Sequence, residues 1–140
     1  MNFVFLSPHF PSHYVNFADR LKKMGVNVLG IADSPYDSLT SQLKESLTEY
    51  YRVDNMENYD EVMRAVAYFI HKYGRIDRLE SFNEYWLETD ARLRTDFNIE
   101  GTKYPEVLES KRKYLMKDHF KKAGVPSARC HLVSTYCLLY

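Results

Sequence analysis

The fold of this chain is decided by residues 3–31, which begin Phe3-Val-Phe-Leu6 and end Gly25-Val-Asn-Val-Leu-Gly-Ile31. Both ends are continuous apolar runs, the pattern of strands that are buried on both faces. Between them the sequence predicts a helix that ends at Gly25, with an apolar inner face formed by Tyr14, Phe17, Ala18, Leu21 and Met24. Strand, helix and strand in this order form a βαβ unit with parallel strands.

Two more strands are predicted downstream, Tyr50–Val53 and Ile76–Ser81. A short helix is predicted from Leu39 to Leu47. The clearest helical stripe runs from Tyr59 to Tyr73 and ends at Gly74.

Capping residues define the starts of two predicted helices. Asn58 is predicted to cap the helix that begins at Tyr59, and Glu61 completes a capping box. Asn83 is predicted to cap a further helix that extends through Phe97. The turn-rich segment 98–105 then marks a domain boundary.

Alternating strands and helices predict an α/β fold, a doubly wound, Rossmann-like parallel sheet of about four strands in the order 3-2-1-4. Strands 1 and 4 are then neighbours at the point where the chain reverses direction across the sheet. Ligands bind beyond the carboxyl ends of strands at such a point. The predicted crevice therefore contains Ser7 and His9 from one loop and Asn83 and Glu84 from the other.

Bulk composition describes a globular chain of 140 residues, with 45% hydrophobic residues and 19 basic against 19 acidic side chains. The balanced charge gives no reason to expect nucleic acid or an anionic membrane as a partner. No apolar run has the length of a membrane span, and the amino terminus does not resemble a signal peptide. Cys130 and Cys137 have no metal-ligand spacing, so we expect free thiols and a cytoplasmic protein.

Several site types are disfavoured by the residues present. The loop after strand 1 contains prolines and no glycine, which argues against a dinucleotide site. Tyr68 and Lys72 have the spacing of a dehydrogenase pair, but they lie within an amphipathic helix and need no special role. His9 and His13 are four residues apart, yet Pro11 between them disfavours the helix that would aim both at one metal. No metal site is predicted.

Asn83 and Glu84 have two interpretations. They lie where a helix begins at a strand end, and there helix-end amides and an acidic side chain favour polar ligands. The alternative is a capping residue followed by a charged helix face, with Trp86 in the core.

The second informative stretch is Lys111-Arg-Lys-Tyr-Leu-Met-Lys-Asp-His-Phe-Lys-Lys-Ala-Gly-Val-Pro126. It predicts a basic helix with a buried stripe of Met116, Phe120 and Ala123, closed by Gly124 and followed by a strand over 127–133. This helix, turn and strand, placed after a four-stranded doubly wound unit, resembles the start of the nucleotide-clamping domain of ATP-grasp ligases. The biotin carboxylase and carbamoyl phosphate synthetase types share this architecture.

The resemblance covers nearly the whole chain. It implies that residues 1–98 are the domain that precedes the ATP-grasp fold, and that residues 99–140 are a linker and a truncated start of that fold. It implies a ligase that uses ATP and magnesium to activate a small-molecule carboxylate as an acyl phosphate, which an amine or a thiol then attacks. Lys113 corresponds to a lysine that contacts the ATP phosphates. The stretch with Asn83 and Glu84 corresponds to the active-site side opposite the nucleotide.

The chain is short for such an enzyme, so we expect an N-terminal portion that is inactive alone and binds neither ATP nor magnesium well. Its last strand would lack sheet partners, which predicts a homodimer through that exposed strand. The alternative is a stand-alone module that binds a small ligand or partner at the crevice without catalysis. In that case the C-terminal tail would complete the core.

Overall fold

The computed structural model describes residues 1–132. Within them, four strands alternate with helices. The strands are β1 (Asn2–Leu6), β2 (Asn27–Ala32), β3 (Glu49–Arg52) and β4 (Arg78–Glu80). The helices are α1 (Val15–Lys23), α2 (Ser41–Ser46), α3 (Tyr59–Tyr73), α4 (Leu87–Asp96), α5 (Val107–Lys111) and α6 (Lys113–Lys122). Short 3₁₀ turns span Ser12–Tyr14, Tyr36–Ser38 and Glu84–Trp86.

The sheet has the order β3-β2-β1-β4, and all of its pairings are parallel. In register, Val4 of β1 lies opposite Leu29 of β2 on one side and Leu79 of β4 on the other. The predicted fold class and strand order are therefore confirmed. Because the strands are parallel, the loops that follow β1, β2 and β4 all lie at one edge of the sheet.

Each face of the sheet is covered by its own hydrophobic cluster. On one face, β1 and β2 residues pack against α3 and α4 through Val62, Val66, Phe69 and Leu93. On the other, Phe3, Phe5 and Val28 pack against Ala18, Leu43 and Leu47 of the α1–α2 region. The continuous apolar runs of β1 and β2 are explained by this burial on both sides.

The inner face of α1 is smaller than predicted. Ala18 is fully buried, but the side chains of Phe17 and Met24 are 46% and 79% exposed. Met24 lies just beyond the last helical residue, Lys23, where the helical period no longer directs it toward the sheet. Phe17 instead stacks on Phe82, with ring centroids 4.8 Å apart.

The predicted capping box at the start of α3 is wrong. The Asn58 side chain accepts no capping hydrogen bond and donates to Glu61 Oε1 at 2.7 Å. The other carboxylate oxygen of Glu61 accepts the backbone N–H groups of Asp54 and Asn55 at 2.9 and 3.0 Å. The Glu61 side chain therefore holds the loop between β3 and α3 in place, and it does not accept the backbone N–H of Asn58 as a capping box requires. The predicted end of the helix at Gly74 is confirmed.

At the start of the next helical segment, Asn83 caps as predicted, because its Oδ1 accepts the N–H of Tyr85 at 2.9 Å. The segment is a 3₁₀ turn that continues into α4 rather than one uniform helix. Trp86 packs against the first cluster but is only half-buried.

The C-terminal part differs most from its prediction. The basic stretch is interrupted at Arg112, whose extended ψ of 106° separates α5 from α6. No residue of α6 is fully buried, so the predicted stripe is wrong: Met116 is half-buried, and Phe120 and Ala123 are exposed. Among the described elements α6 packs chiefly on α5, so its apolar side lacks a covering layer there.

Residues 125–132 form neither helix nor strand, so the strand predicted over 127–133 is not formed across its described part. A strand requires a hydrogen-bonded neighbour, and no described strand lies beside this segment. Cys130 is exposed and forms no disulfide within residues 1–132. Val133, Cys137 and the rest of the predicted dimer-forming strand lie outside the described residues. No helix within residues 1–132 is both long and apolar enough to cross a membrane.

Candidate functional site

The loop after β1 begins with a constrained residue, Ser7. Its φ is +51°, its side chain is buried, and its N–H donates to the carbonyl of Ile31 in β2 at 2.8 Å. Pro8 follows and packs close to Gly30, where a Cβ atom would lie 3.3 Å from Pro8 Cγ and 3.0 Å from Leu47 Cδ1. The absence of a side chain at Gly30 therefore lets this loop lie close against the sheet.

The loop after β4 is held from beneath by a buried carboxylate. Asp90 Oδ2 accepts the Ser81 hydroxyl at 2.6 Å and the Ser81 N–H at 3.1 Å. The Ser81 oxygen in turn accepts the N–H of Asn83 at 3.2 Å. Burial raises the pKa of Asp90 to about 7, although the Ser81 hydrogen bonds and the charge of Arg94 oppose the shift.

Aromatic contacts join this loop to the region after β1. The Tyr14 hydroxyl donates to the carbonyl oxygen of Phe82, a residue with φ of +55°. The Phe82 ring lies edge-on to Phe5 with centroids 5.4 Å apart, besides its stacking on Phe17. Sequence reasoning missed both Phe82 and Asp90, because neither stands in a motif and their partners are distant along the chain.

The four crevice residues lie at the predicted edge of the sheet but do not form one cluster. Asn83 is occupied as a cap, and Glu84 is exposed. His9 lines a cavity of about 130 Å³ together with residues from the loop after β2 and from the start of α2. Neither Asn83 nor Glu84 lines that cavity.

His9 is half-buried, and its Nδ1 is buried without a hydrogen-bond partner among the described residues. Burial lowers the pKa of His9 below its ordinary value, against the opposing effect of the Asp33 carboxylate. The imidazole is therefore neutral at neutral pH and can accept a hydrogen bond.

Lys113 is exposed at the first position of α6 and makes no hydrogen bond or ion pair with residues 1–132. Its neighbour Lys111 is paired with Glu88, Nζ to Oε1 3.4 Å. A cavity of about 590 Å³ lies between α6 and residues 125–132 and is lined by Tyr114, Lys117 and Lys121 but not by Lys113. Lys113 therefore lines neither this cavity nor the one that contains His9.

Tyr68 and Lys72 both contact Glu49, a contact that stabilises the fold. The Glu49 carboxylate accepts the Tyr68 hydroxyl and the Lys72 ammonium, both at 2.7 Å, and also the Tyr73 hydroxyl. Glu49 is the first residue of β3, the outermost strand on its side of the sheet. This cluster therefore joins β3 to α3 at the amino ends of the strands, whereas the crevice loops follow the carboxyl ends. Elsewhere, no group of three or more His, Cys, Asp or Glu side chains in residues 1–132 is arranged to hold a metal ion.

No protein-family model and no curated protein matches the sequence. Solved structures do match. The chain resembles the L-amino acid ligase from Bacillus licheniformis, with a TM-score of 0.76 and 14% identity over 99% of this chain and 34% of that one. It also resembles the phosphoribosylglycinamide synthetase from Anaerococcus prevotii, with a TM-score of 0.68 and 21% identity over 99% of this chain and 33% of that one.

The chain thus spans about a third of the length of these two proteins. Identities this low show a shared fold and leave the activity open. The chain therefore shares its fold with about a third of each of these two proteins.

Proposed function

We propose that this chain is the N-terminal portion of an ATP-dependent ligase that joins a small-molecule carboxylate to an amine or a thiol. In this reaction a carboxylate oxygen attacks the γ-phosphorus of ATP and releases ADP. The amine or thiol then attacks the carbonyl carbon of the acyl phosphate and releases inorganic phosphate. The observation that carries the proposal is the match of the whole chain to a third of two enzymes whose names are ligase and synthetase.

The two parts of the chain are proposed to have different roles. Residues 1–98 would form the domain that precedes the ATP-grasp fold and would present Ser7, His9, Asn83 and Glu84 toward substrate. Residues 99–140 would be the linker and the start of the ATP-grasp fold. The poor burial of α6 supports this boundary, because the hydrophobic clusters end at Ile99. On the resemblance, we expect a cytoplasmic enzyme with no nucleic-acid or membrane partner, and a homodimer through the C-terminal strand.

Lys113 is proposed to contact the ATP phosphates. The Lys113 ammonium is exposed and has no ion-pair partner within residues 1–132, so it is available for that contact. Stabilising a transferred phosphoryl group requires several converging positive groups, and one exposed lysine is not enough. We therefore expect weak ATP binding and no ligase activity from the chain alone. On the resemblance, the full-length enzyme would use magnesium with ATP, and residues 1–132 contain no group of three or more His, Cys, Asp or Glu side chains arranged to hold a metal ion.

The test is ADP release by the polypeptide that carries this chain, given ATP, magnesium, an amine and a panel of small carboxylic acids that includes amino acids. Hydroxylamine should trap the acyl phosphate as a hydroxamate. ADP release that depends on one carboxylate, together with the hydroxamate, would support the proposal. ATP consumption that no carboxylate affects would contradict it.

Lys113→Ala tests the nucleotide contact, and Lys122→Ala is the matched control because it removes an exposed charge from the same helix. Loss of a charge-assisted phosphate contact should raise the KM for ATP about tenfold or more in the first variant only. Equal KM values for both variants would remove Lys113 from the nucleotide site.

The alternative, a stand-alone binding module, predicts that the C-terminal tail completes the core. Residues 124–132 are instead exposed and belong to neither hydrophobic cluster. This exposure favours the ligase portion over the module.

A further inference from the structure

A cavity beside His9 lies at the carboxyl edge of the sheet, between the loops after β1 and β2. Its volume of about 130 Å³ suits a small polar group. Four hydroxyl side chains and one imidazole supply its polar lining: Ser12, Ser34, Ser38, Thr40 and His9. Aliphatic side chains, among them the buried Leu43, complete the wall.

Hydrogen bonds already made leave acceptors in this lining, although the Thr40 hydroxyl, whose oxygen accepts the Leu43 N–H at 3.2 Å, keeps its proton to donate. The Ser38 hydroxyl donates its proton to the Pro35 carbonyl at 2.6 Å, so its oxygen can accept another bond. The hydroxyls of Ser12 and Ser34 make no hydrogen bond to residues 1–132. His9 adds a neutral imidazole whose Nδ1 is buried and unpaired, again among the described residues.

Charge around the cavity disfavours an anion. No lysine or arginine lines it. Lys44 of α2 is directed elsewhere, with Nζ 3.4 Å from the Asp37 carbonyl and 5.0 Å from the Tyr36 ring centroid. Asp33, which follows β2, is exposed and does not line the cavity, but its carboxylate opposes the lowering of the His9 pKa by burial. A carboxylate or phosphate would meet no compensating cation there.

We propose that this cavity binds the amino group of the ligase's second substrate, held by His9 and the serine hydroxyls. The neutral His9 imidazole would accept a proton from the bound ammonium, which leaves the free amine that nucleophilic attack requires. The inference rests on the proposed ligase function and selects an amine rather than a thiol as the nucleophile. It also moves the substrate subsite from the β1–β4 side to the β1–β2 side of the same edge. The carbonyl carbon of the acyl phosphate would then lie at the mouth of this cavity, where the amine can reach it.

The test is an NMR titration of the 140-residue chain, without ATP, with ethanolamine at neutral pH and constant ionic strength. We expect saturable shifts of the Ser34 and Thr40 amide resonances, with a Kd on the order of 1 mM for so small a probe. 2-Mercaptoethanol is the matched probe in which a thiol replaces the amine, and sodium acetate and inorganic phosphate are the anionic probes. Each should bind at least about tenfold more weakly than ethanolamine.

His9→Gln should weaken ethanolamine binding about tenfold, whereas His13→Gln should leave it unchanged, because His13 is exposed and does not line the cavity. Stronger binding of acetate, phosphate or 2-mercaptoethanol would overturn the inference, and so would equal binding by both variants. Because ATP is absent, failure here leaves the ligase proposal to its own ADP-release test. Amine binding without any ligase activity would instead support the amine-binding cavity and contradict the proposed ligase function.

Discussion

Asp90 in α4 holds Ser81 at the end of β4 through two hydrogen bonds to a single carboxylate oxygen, from the hydroxyl at 2.6 Å and from the backbone N–H at 3.1 Å. The other oxygen, Oδ1, is buried and has no partner among the described residues. The contact therefore positions the loop that carries Phe82 and Asn83, at the cost of burying an acidic group.

Asp90 should make stability depend on pH. The pKa of this carboxyl rises from an ordinary value of 3.8 to about 7 in the folded protein because of burial. Between those values the folded protein keeps a proton that the unfolded chain has lost, so the free energy of unfolding should fall as pH rises through this window. The total fall should be about 2–4 kcal/mol.

The Asp90→Asn variant removes this titration while keeping one acceptor oxygen for Ser81. Urea unfolding at several pH values between 4 and 7 should therefore give a flatter profile for the variant than for the parent chain. Asp118→Asn is the control, since Asp118 is exposed and makes no ion pair with residues 1–132. A slope unchanged by Asp90→Asn would contradict the assignment.

Arg94 should be the most costly arginine to remove. Its buried guanidinium donates to the carbonyls of Leu79 and Thr102 at 3.0 and 2.9 Å and pairs with Glu80. Arg94→Ala should lower the free energy of unfolding by about 3–5 kcal/mol, because all three acceptors lose their donor.

Arg92→Ala is the matched control from the same helix. Arg92 is exposed and lies over the Tyr104 ring at 5.1 Å, so its loss should cost only about 0.5–1 kcal/mol. Chemical denaturation of both variants checks the difference. Equal losses would mean that the Arg94 network contributes little.

Gly101 should tolerate a side chain poorly for two separable reasons. Its φ is +132°, and a Cβ atom there would lie 2.9 Å from Arg94 Cδ. Gly25 also has a positive φ, +77°, but a Cβ atom at that position would meet nothing within 4 Å. We expect Gly25→Ala to cost about 1–2 kcal/mol from backbone strain, and Gly101→Ala at least about 1 kcal/mol more. Thermal unfolding measures both variants. If they lose similar stability, the Arg94 side chain moves aside at little energetic cost and the contact at Gly101 contributes nothing extra.

Glu49→Gln should loosen the edge strand β3. Burial of the carboxylate opposes ionisation, but hydrogen bonds from Lys72, Tyr73 and Tyr68 outweigh it and lower the pKa of Glu49 below its ordinary value. A lowered folded pKa stabilises the protein above the unfolded pKa, and this stabilisation is lost as pH falls through the folded value. The variant should therefore melt slightly below the parent at neutral pH and approach it in acid.

Glu45→Gln is the control for that comparison, because Glu45 is exposed on α2 and has no partner in the described part of the chain. A deficit of the Glu49 variant that persists at low pH would point to lost packing rather than lost charge.

Much of this architecture follows from the sequence by itself. The apolar runs at Phe3–Leu6 and Val26–Ile31, with a helix between them, fix a parallel βαβ unit because chain connectivity and strand twist leave one common arrangement. Helix ends at Gly25 and Gly74 and the cap at Asn83 are equally local, since each depends on residues a few positions away. The strand order and the edge that carries the loops follow from these elements.

What only the tertiary structure decided concerns partners that are distant along the chain. Glu61 bonds to the loop before α3 instead of capping with Asn58, Asp90 reaches back to Ser81, and His9 lines a cavity with Ser34 rather than with Asn83. The stripe of α6 is apolar in sequence, yet the described residues place no layer over it. Periodicity states which side of an element is apolar, whereas burial and hydrogen-bond partners depend on which other elements pack there.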